Sequence, residues 1–229
     1  LIKTIKSIAE QTYTDFDYLI WDGGSTDATR KIISAIPNSF ATCITRSDKG
    51  PYDAMNQCTK IAKGTYVLFM NAGDTFFSSR SLEFAMSGAP NNADIIYGHH
   101  IYVPHNAQPR VHKAAWLPLT VEELKFGELS YKWLSGIPCH QSTITRKSLL
   151  IENPFEYQKF KIAADHNFLF NSVLSGAITH HSNTIISTYY GGGISSQNVQ
   201  RCVSEWKAIA KSLSNNPEAA TRFYDQGTF

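Results

Sequence analysis

Tyr66-Val67-Leu68-Phe69-Met70-Asn71-Ala72-Gly73-Asp74 is the stretch on which the fold turns. Five apolar or aromatic residues in succession predict a strand buried on both faces, as in a parallel sheet. The run then breaks into a small polar turn, Asn71 to Asp74. In open α/β sheets ligands collect beyond the carboxyl ends of strands. An acid fixed there, beside a glycine that lets a ligand approach, suits a hard cation and the phosphates it carries. A plainer reading has Asp74 capping the next helix, and for this stretch alone the plainer reading is the better one.

Upstream, Leu1, Ile2, Ile5 and Ile8 recur at helical spacing, so residues 1–11 predict an amphipathic helix. An α/β chain ordinarily opens on a strand, so a segment ahead of residue 1 is expected. Phe16 to Trp21 predicts a strand running into Asp22-Gly23-Gly24-Ser25-Thr26-Asp27, a tight turn with capping hydroxyls for a following helix. An acid at that strand end binds a ribose or base edge in nucleotide-binding folds, or merely stabilises the positive end of the next helix. Phe40 to Thr45 predicts a short strand, and Tyr52 to Ala62 a helix ended by Gly64. Asp53 and Asn56 lie near that helix start, where amides favour anions; Asp53 alone reads as a first-turn acid.

Downstream come a helix from Ser81 to Met86 and a strand from Asp94 to Val103. His99 and His100 point to opposite faces of that strand, so they do not share a metal. Residues 115–134 mix Trp116, Leu117, Leu119, Phe126, Tyr131, Trp133 and Leu134 with charges, and fit core packing, a lid or a membrane-facing patch. His140 and Gln141 offer hydrogen bonds to a polyhydroxylated ligand, or simply satisfy a turn. Asp165 opens a helix from His166 to Leu174, as an N-cap, a general base, or both. A strand over 185–190 leads into Gly191-Gly192-Gly193, a loop able to close over phosphates or to act as a linker. A clear amphipathic helix spans 199–213, and residues 214–229 read as a peripheral tail.

Composition narrows the field. The 229 residues carry 42% apolar and 17% charged side chains and a net charge of +2, which describes a globular chain and is too small a charge to argue for nucleic acid on its own. The four cysteines form no CxxC pair, which fits a reducing compartment rather than a zinc site or disulfide scaffold. No apolar run approaches the roughly 20 residues that span a bilayer.

Trp21-Asp22-Gly23-Gly24-Ser25-Thr26-Asp27-Ala28-Thr29 resembles the VDGGSTDGT element of family 2 glycosyltransferases of GT-A fold. Asp48-Lys49-Gly50-Pro51-Tyr52-Asp53-Ala54-Met55-Asn56 resembles the D-x-G-I-Y-D-A-M-N element of the branch that builds colanic acid, capsule and O-antigen. Phe69 to Asp74 is similar to its FLNSGD form of the metal-binding DxD motif. Cys139-His140-Gln141-Ser142, Ala163-Ala164-Asp165 and Gly192-Gly193-Ile194-Ser195 follow in the family's order.

The resemblance implies one α/β domain over 1–213, a mostly parallel sheet flanked by helices, with a nucleotide-binding half to about 103 and an acceptor half beyond. It implies that Asp22, with Gly24 and Ser25, meets the nucleoside of a sugar nucleotide, most often UDP. Asp53, Asn56, Asn71 and Gly73 would line the donor site, and Asp74 would hold Mg²⁺ or Mn²⁺ against the diphosphate. His140 and Gln141 would face donor sugar or acceptor, and Asp165 would be the base of an inverting transfer. The implied acceptor is a lipid-linked saccharide of a bacterial surface polysaccharide, and the implied place is the cytoplasm, peripheral to the inner membrane. The alternative is a degenerate sugar-nucleotide or glycan-binding module of the same fold. The family's first strand is absent, which would leave unpaired backbone in the core. Pro51, Cys58 and His99 depart from the usual residues, and the DxD element keeps one carboxylate.

Overall fold

Two sheets carry the site. The structure, a computed structural model, describes residues 1–130 and 136–225. The smaller sheet joins β1 (Leu19–Asp22) to β2 (Thr42–Thr45) in parallel, with Asp22 opposite Thr45. The larger runs β3 (Tyr66–Leu68), β7 (Thr143–Arg146), β5 (Ile95–Val103), β8 (Thr179–Tyr190) and β4 (Thr75–Phe76), with β6 (Arg110–His112) beside β5. The expected parallel register appears in β1–β2 and in β5–β8, the longest pairing; β3, β4, β6 and β7 add antiparallel neighbours.

Helices cover the sheets: α1 (Ile2–Ala9), α2 (Thr29–Ser34), α3 (Pro51–Ile61), α4 (Ser81–Met86), α5 (Leu117–Phe126), α6 (Lys147–Glu152), α7 (Ala164–Leu174), α8 (Ile194–Gln197), α9 (Val199–Leu213) and α10 (Pro217–Asp225). The main core gathers Tyr97 of β5, Leu117 and Leu124 of α5, Phe168 and Phe170 of α7, and Ile209 of α9. Ile20, Ile33 and Ala41 form a separate small cluster behind β1 and β2.

The structure corrects three expectations. The strand at Tyr66 is short, half-buried and at an edge, paired with β7 alone. Its other side faces a cavity of about 1160 Å³, lined across the gap by Tyr18, Leu19 and Trp21. The unpaired backbone expected of this sheet lies here, between the free edges of β1 and β3. Second, the tail is not peripheral: α10 buries Ala220 and Tyr224 in the main core, an amphipathic face too short to stand out in sequence. Third, β8 begins at Thr179, because β5 supplies a parallel partner to a polar run. In the apolar stretch, Leu117, Val121 and Leu124 are core residues whereas Trp116, Leu119 and Phe126 are exposed; Tyr131, Trp133 and Leu134 lie outside the described residues.

Candidate active site

Asp165 lies in the first turn of α7, and its side chain is 15% exposed. Its Oδ1 accepts the His166 amide at 2.9 Å and lies 2.8 Å from the Tyr52 hydroxyl. That hydroxyl is also 2.6 Å from the Ile162 carbonyl oxygen, so Tyr52 straddles the turn. Its Oδ2 lies 2.9 Å from Nδ1 of His140, and Nε2 of His140 lies 2.9 Å from the side-chain nitrogen of Asn71. A chain of contacts thus runs Tyr52–Asp165–His140–Asn71. Burial alone would raise the Asp165 carboxyl, but His166, His140 and Tyr52 outweigh it and hold it well below the usual carboxylate range. Burial opposes charge on His140, and the Asp165 partner reverses that, so its imidazole sits above its ordinary value.

The turn before Asp165 is fixed by a residue the motifs do not mark. Glu205 of α9 is buried and accepts the amides of Lys161, Ile162 and Ala163 at 3.0, 2.8 and 3.0 Å. Burial would raise this carboxyl too; the three amides and Arg201 bring it below its ordinary value. A glutamate on the apolar face of an otherwise regular amphipathic helix is the signal that could have found it.

Asp22 closes β1, 4% exposed, with Oδ1 accepting the Ser25 amide at 2.9 Å. Bonds from Ser25 lower its pKa. Its Oδ2 is buried without a hydrogen-bond partner among the described residues. Gly24 and Gly73 adopt φ of 101° and 106°, which only glycine takes without strain, so both turns keep their shape through these residues. Asp53 accepts the Lys49 amide at 2.8 Å and the Gln57 side chain at 3.3 Å, bracing the start of α3. Gly73 donates its amide to Thr4 of α1 at 2.9 Å.

Three expected contacts are redirected. Asn56 does not open on a donor cleft: its amide group bonds both the carbonyl and the amide of Phe155, each at 2.9 Å. Gln141 is 1% exposed and turned inward, donating to Asp74 Oδ2 at 2.6 Å. Asp74 is itself buried, and its Oδ1 accepts the Tyr190 amide at 2.9 Å. Burial pushes its carboxyl up. A magnesium or manganese ion needs several open oxygen ligands. Asp74 has both oxygens engaged by protein donors, and no group of three potential ligand side chains occurs among the described residues. As arranged, these residues do not fit the expected ion.

Residues 1–170 match the model of glycosyl transferase family 2. The chain belongs to that family. The transferase is 29% identical over 200 residues to the PGL/p-HBAD biosynthesis glycosyltransferase of Mycobacterium bovis, covering 82% of this chain and 71% of the relative. It is 37% identical over 78 residues to the Escherichia coli UDP-Glc:alpha-D-GlcNAc-diphosphoundecaprenol beta-1,3-glucosyltransferase WfaP, covering 34% of this chain and 31% of that protein. The structure of Staphylococcus aureus TarS 1–349 with UDP aligns with a TM-score of 0.64 at 18% identity, covering 98% of the transferase and 64% of that chain. The transferase therefore spans just under two thirds of that TarS chain. The likeness shows a shared fold, the expected α/β GT-A class. Among the described residues no helix is long and apolar enough to cross a membrane.

Proposed function

We propose that the transferase moves a sugar from a nucleotide sugar, a UDP-sugar, to a hydroxyl of a saccharide, with inversion at the anomeric carbon. The observation that carries this reading is the partly open Asp165–His140 pair, held at the head of α7 and joined to Asn71. A sugar hydroxyl is a poor nucleophile at neutral pH, and a positioned acid–base pair that takes its proton during attack contributes typically about 10²–10⁴ in rate. One displacement assisted by one such pair inverts the sugar. The buried, unpartnered Oδ2 of Asp22 suits an N–H donor on a base, as uracil offers. TarS structures with UDP and with UDP-GlcNAc share this fold, which supports a uridine donor. The name of the WfaP relative, which prints a GlcNAc-diphosphoundecaprenol acceptor, supports an acceptor on a lipid carrier, and with it a role in building surface glycans. With such an acceptor the enzyme would work in the cytoplasm, peripheral to the inner membrane. The domain is read as a donor half to about residue 103 and an acceptor half beyond.

The test is calorimetric titration of the purified protein with UDP, UDP-Glc and UDP-GlcNAc, with and without Mn²⁺, followed by UDP release with GlcNAc-diphospholipid acceptors. Donor binding by wild type and by Asp165→Asn, with turnover in wild type only, supports an enzyme. Binding without turnover in either moves the reading to a glycan-handling module. No binding of any uridine nucleotide ends the donor assignment.

A further inference from the structure

From Ile95 to Val121 the chain carries no Asp or Glu, and it carries none from His166 to Ser204; all 19 acids lie outside these two runs. The fold brings the runs together. β5 and β8 pair in parallel from His100 and Ser187 to Val103 and Tyr190. Tyr102 stacks on Tyr189 with ring centroids 5.4 Å apart, and the Gly191 amide donates to the Val103 carbonyl at 2.8 Å. β6 then sets Arg110 opposite Tyr102. On these segments Val111 of β6 and Trp116 at the head of α5 are each 47% exposed, Leu119 is 36% exposed and Ile194 of α8 is 53% exposed. Arg110 and Lys113 are exposed beside them. Trp116 and Leu119, three residues apart, share the side of α5 turned away from the core residues Leu117, Val121 and Leu124. Glu122 and Glu123 begin the next turn, and the Ser130 hydroxyl donates to Glu123 at 2.9 Å, so the apolar surface belongs to the first turn. Scattered exposed apolar side chains need no explanation. Four of them with two cations, on segments without an acid, do.

We propose that β6, the head of α5 and the turn at 191–194 form the face on which the transferase rests against an anionic lipid bilayer. This deepens the transfer reading above and rests on its lipid-linked acceptor. Charge selects the occupant. Two cations on acid-free segments, with the positive end of α5, meet phosphate headgroups, while Val111, Trp116 and Leu119 enter the acyl boundary. A second copy docked face to face would bring the same cations and no acid to pair them. The face is also tied to the transfer site. The turn His140–Ser142 is fixed to β5 by the Ser142 hydroxyl, which donates to the His99 carbonyl at 3.1 Å. The next residue, His100, stacks on His112 of β6 with centroids 4.8 Å apart. The Ala114 amide donates to Nδ1 of His99 at 3.1 Å and fixes the link from β6 to α5. A packed bridge therefore runs from His140 to the face. Docking there holds the transfer site beside the surface from which a lipid-linked sugar projects.

The test is co-sedimentation of the full chain with vesicles of equimolar phosphatidylglycerol and phosphatidylethanolamine, beside vesicles of phosphatidylcholine alone. Wild type should bind the anionic vesicles and lose affinity as salt rises from about 0.05 M to about 0.5 M. Arg110→Glu with Lys113→Glu should weaken binding about tenfold or more, since each basic residue near such a surface supplies roughly a fivefold factor. Trp116→Ser with Leu119→Ser should weaken it by about tenfold as well, through lost apolar insertion. Both double variants should keep the wild-type Tm and UDP-sugar affinity, because the changes lie on the surface. Full vesicle affinity in either folded variant overturns the proposal, as does wild type that binds no vesicles or binds phosphatidylcholine equally well. A concentration-dependent dimer in light scattering, abolished by the Trp116 and Leu119 changes, gives the face to a second copy and overturns the lipid assignment. Donor binding without vesicle binding overturns the face alone. Vesicle binding that both variants lose, in a protein that binds no UDP-sugar, overturns the transfer reading and leaves the face standing.

Discussion

Replacing Asp74 by Ala strips the partners from two buried donors at once, the Gln141 side chain and the Tyr190 amide. Each buried donor left bare costs about 1–3 kcal/mol, so urea unfolding should show a loss of roughly 2–6 kcal/mol. Mn²⁺ titration of the nucleotide-free protein should show no saturable site in wild type; a site present there and missing in Asp74→Ala would return the residue to metal binding. Asp22 makes the opposite kind of prediction. Asp22→Asn keeps size and can keep the acceptor for Ser25, but puts a donor where Oδ2 was bare. UDP affinity by calorimetry should fall about tenfold or more, since the site would then oppose one N–H with another. The motif types and their order were readable. What stayed hidden was which way a side chain turns. Gln141 and Asn56 look like cleft residues by chemistry, yet the Asp74 carboxylate claims the first and the Phe155 backbone the second.

At the scale of elements, α9 does more than bury its apolar stripe. Glu205 reaches across to three successive amides, 42–44 residues away in sequence, and sets the entry to α7. Glu205→Gln keeps one acceptor oxygen and loses the charge, a change of roughly 2 kcal/mol for charge-assisted bonds. That corresponds to a fall in Tm of roughly 4–8 °C in a domain of this size. Its pH dependence has a definite sign. The folded carboxyl titrates below its ordinary value, so its stabilisation is complete above the unfolded value of about 4.3 and fades as pH falls through the folded one. The Tm gap between wild type and Glu205→Gln should therefore be constant at neutral pH and narrow below about pH 4. Periodicity located α1, α3, α7 and α9, because an apolar stripe is a local pattern, but not α5, α6 or α10. It cannot see a carboxylate whose partners arrive from another part of the chain, nor a strand such as β8 whose polar first half is defined by β5.

For the molecule as a whole, the two sheets meet through side chains around the 1160 Å³ cavity, with no strand pairing between β1 and β3. The cluster behind β1 and β2 is small, three buried residues with Leu1, Ile5, Tyr18 and others packed against them. Regions with few buried contacts open at lower free energy than the core. Amides of Leu19–Asp22 and Thr42–Thr45 should therefore exchange faster than those of β5 and β8, as hydrogen exchange read by mass spectrometry will show. Equal protection across both sheets would contradict this. The α/β class was legible from the strand-and-turn repeats, and the resemblance implied unpaired backbone in the core; that the edges of β1 and β3 would face it was not, because a pattern names strands without saying which edges find a neighbour.

Donor binding would also tie endurance to metabolism. A donor held by Asp22 on one sheet and by Asn71 beside the other would join the two. A ligand bound only by the intact protein adds about 2.7 kcal/mol when present at a hundred times its Kd. The temperature at which this enzyme stops working would then follow the supply of its own substrate, falling as the pool of activated sugar is drawn down.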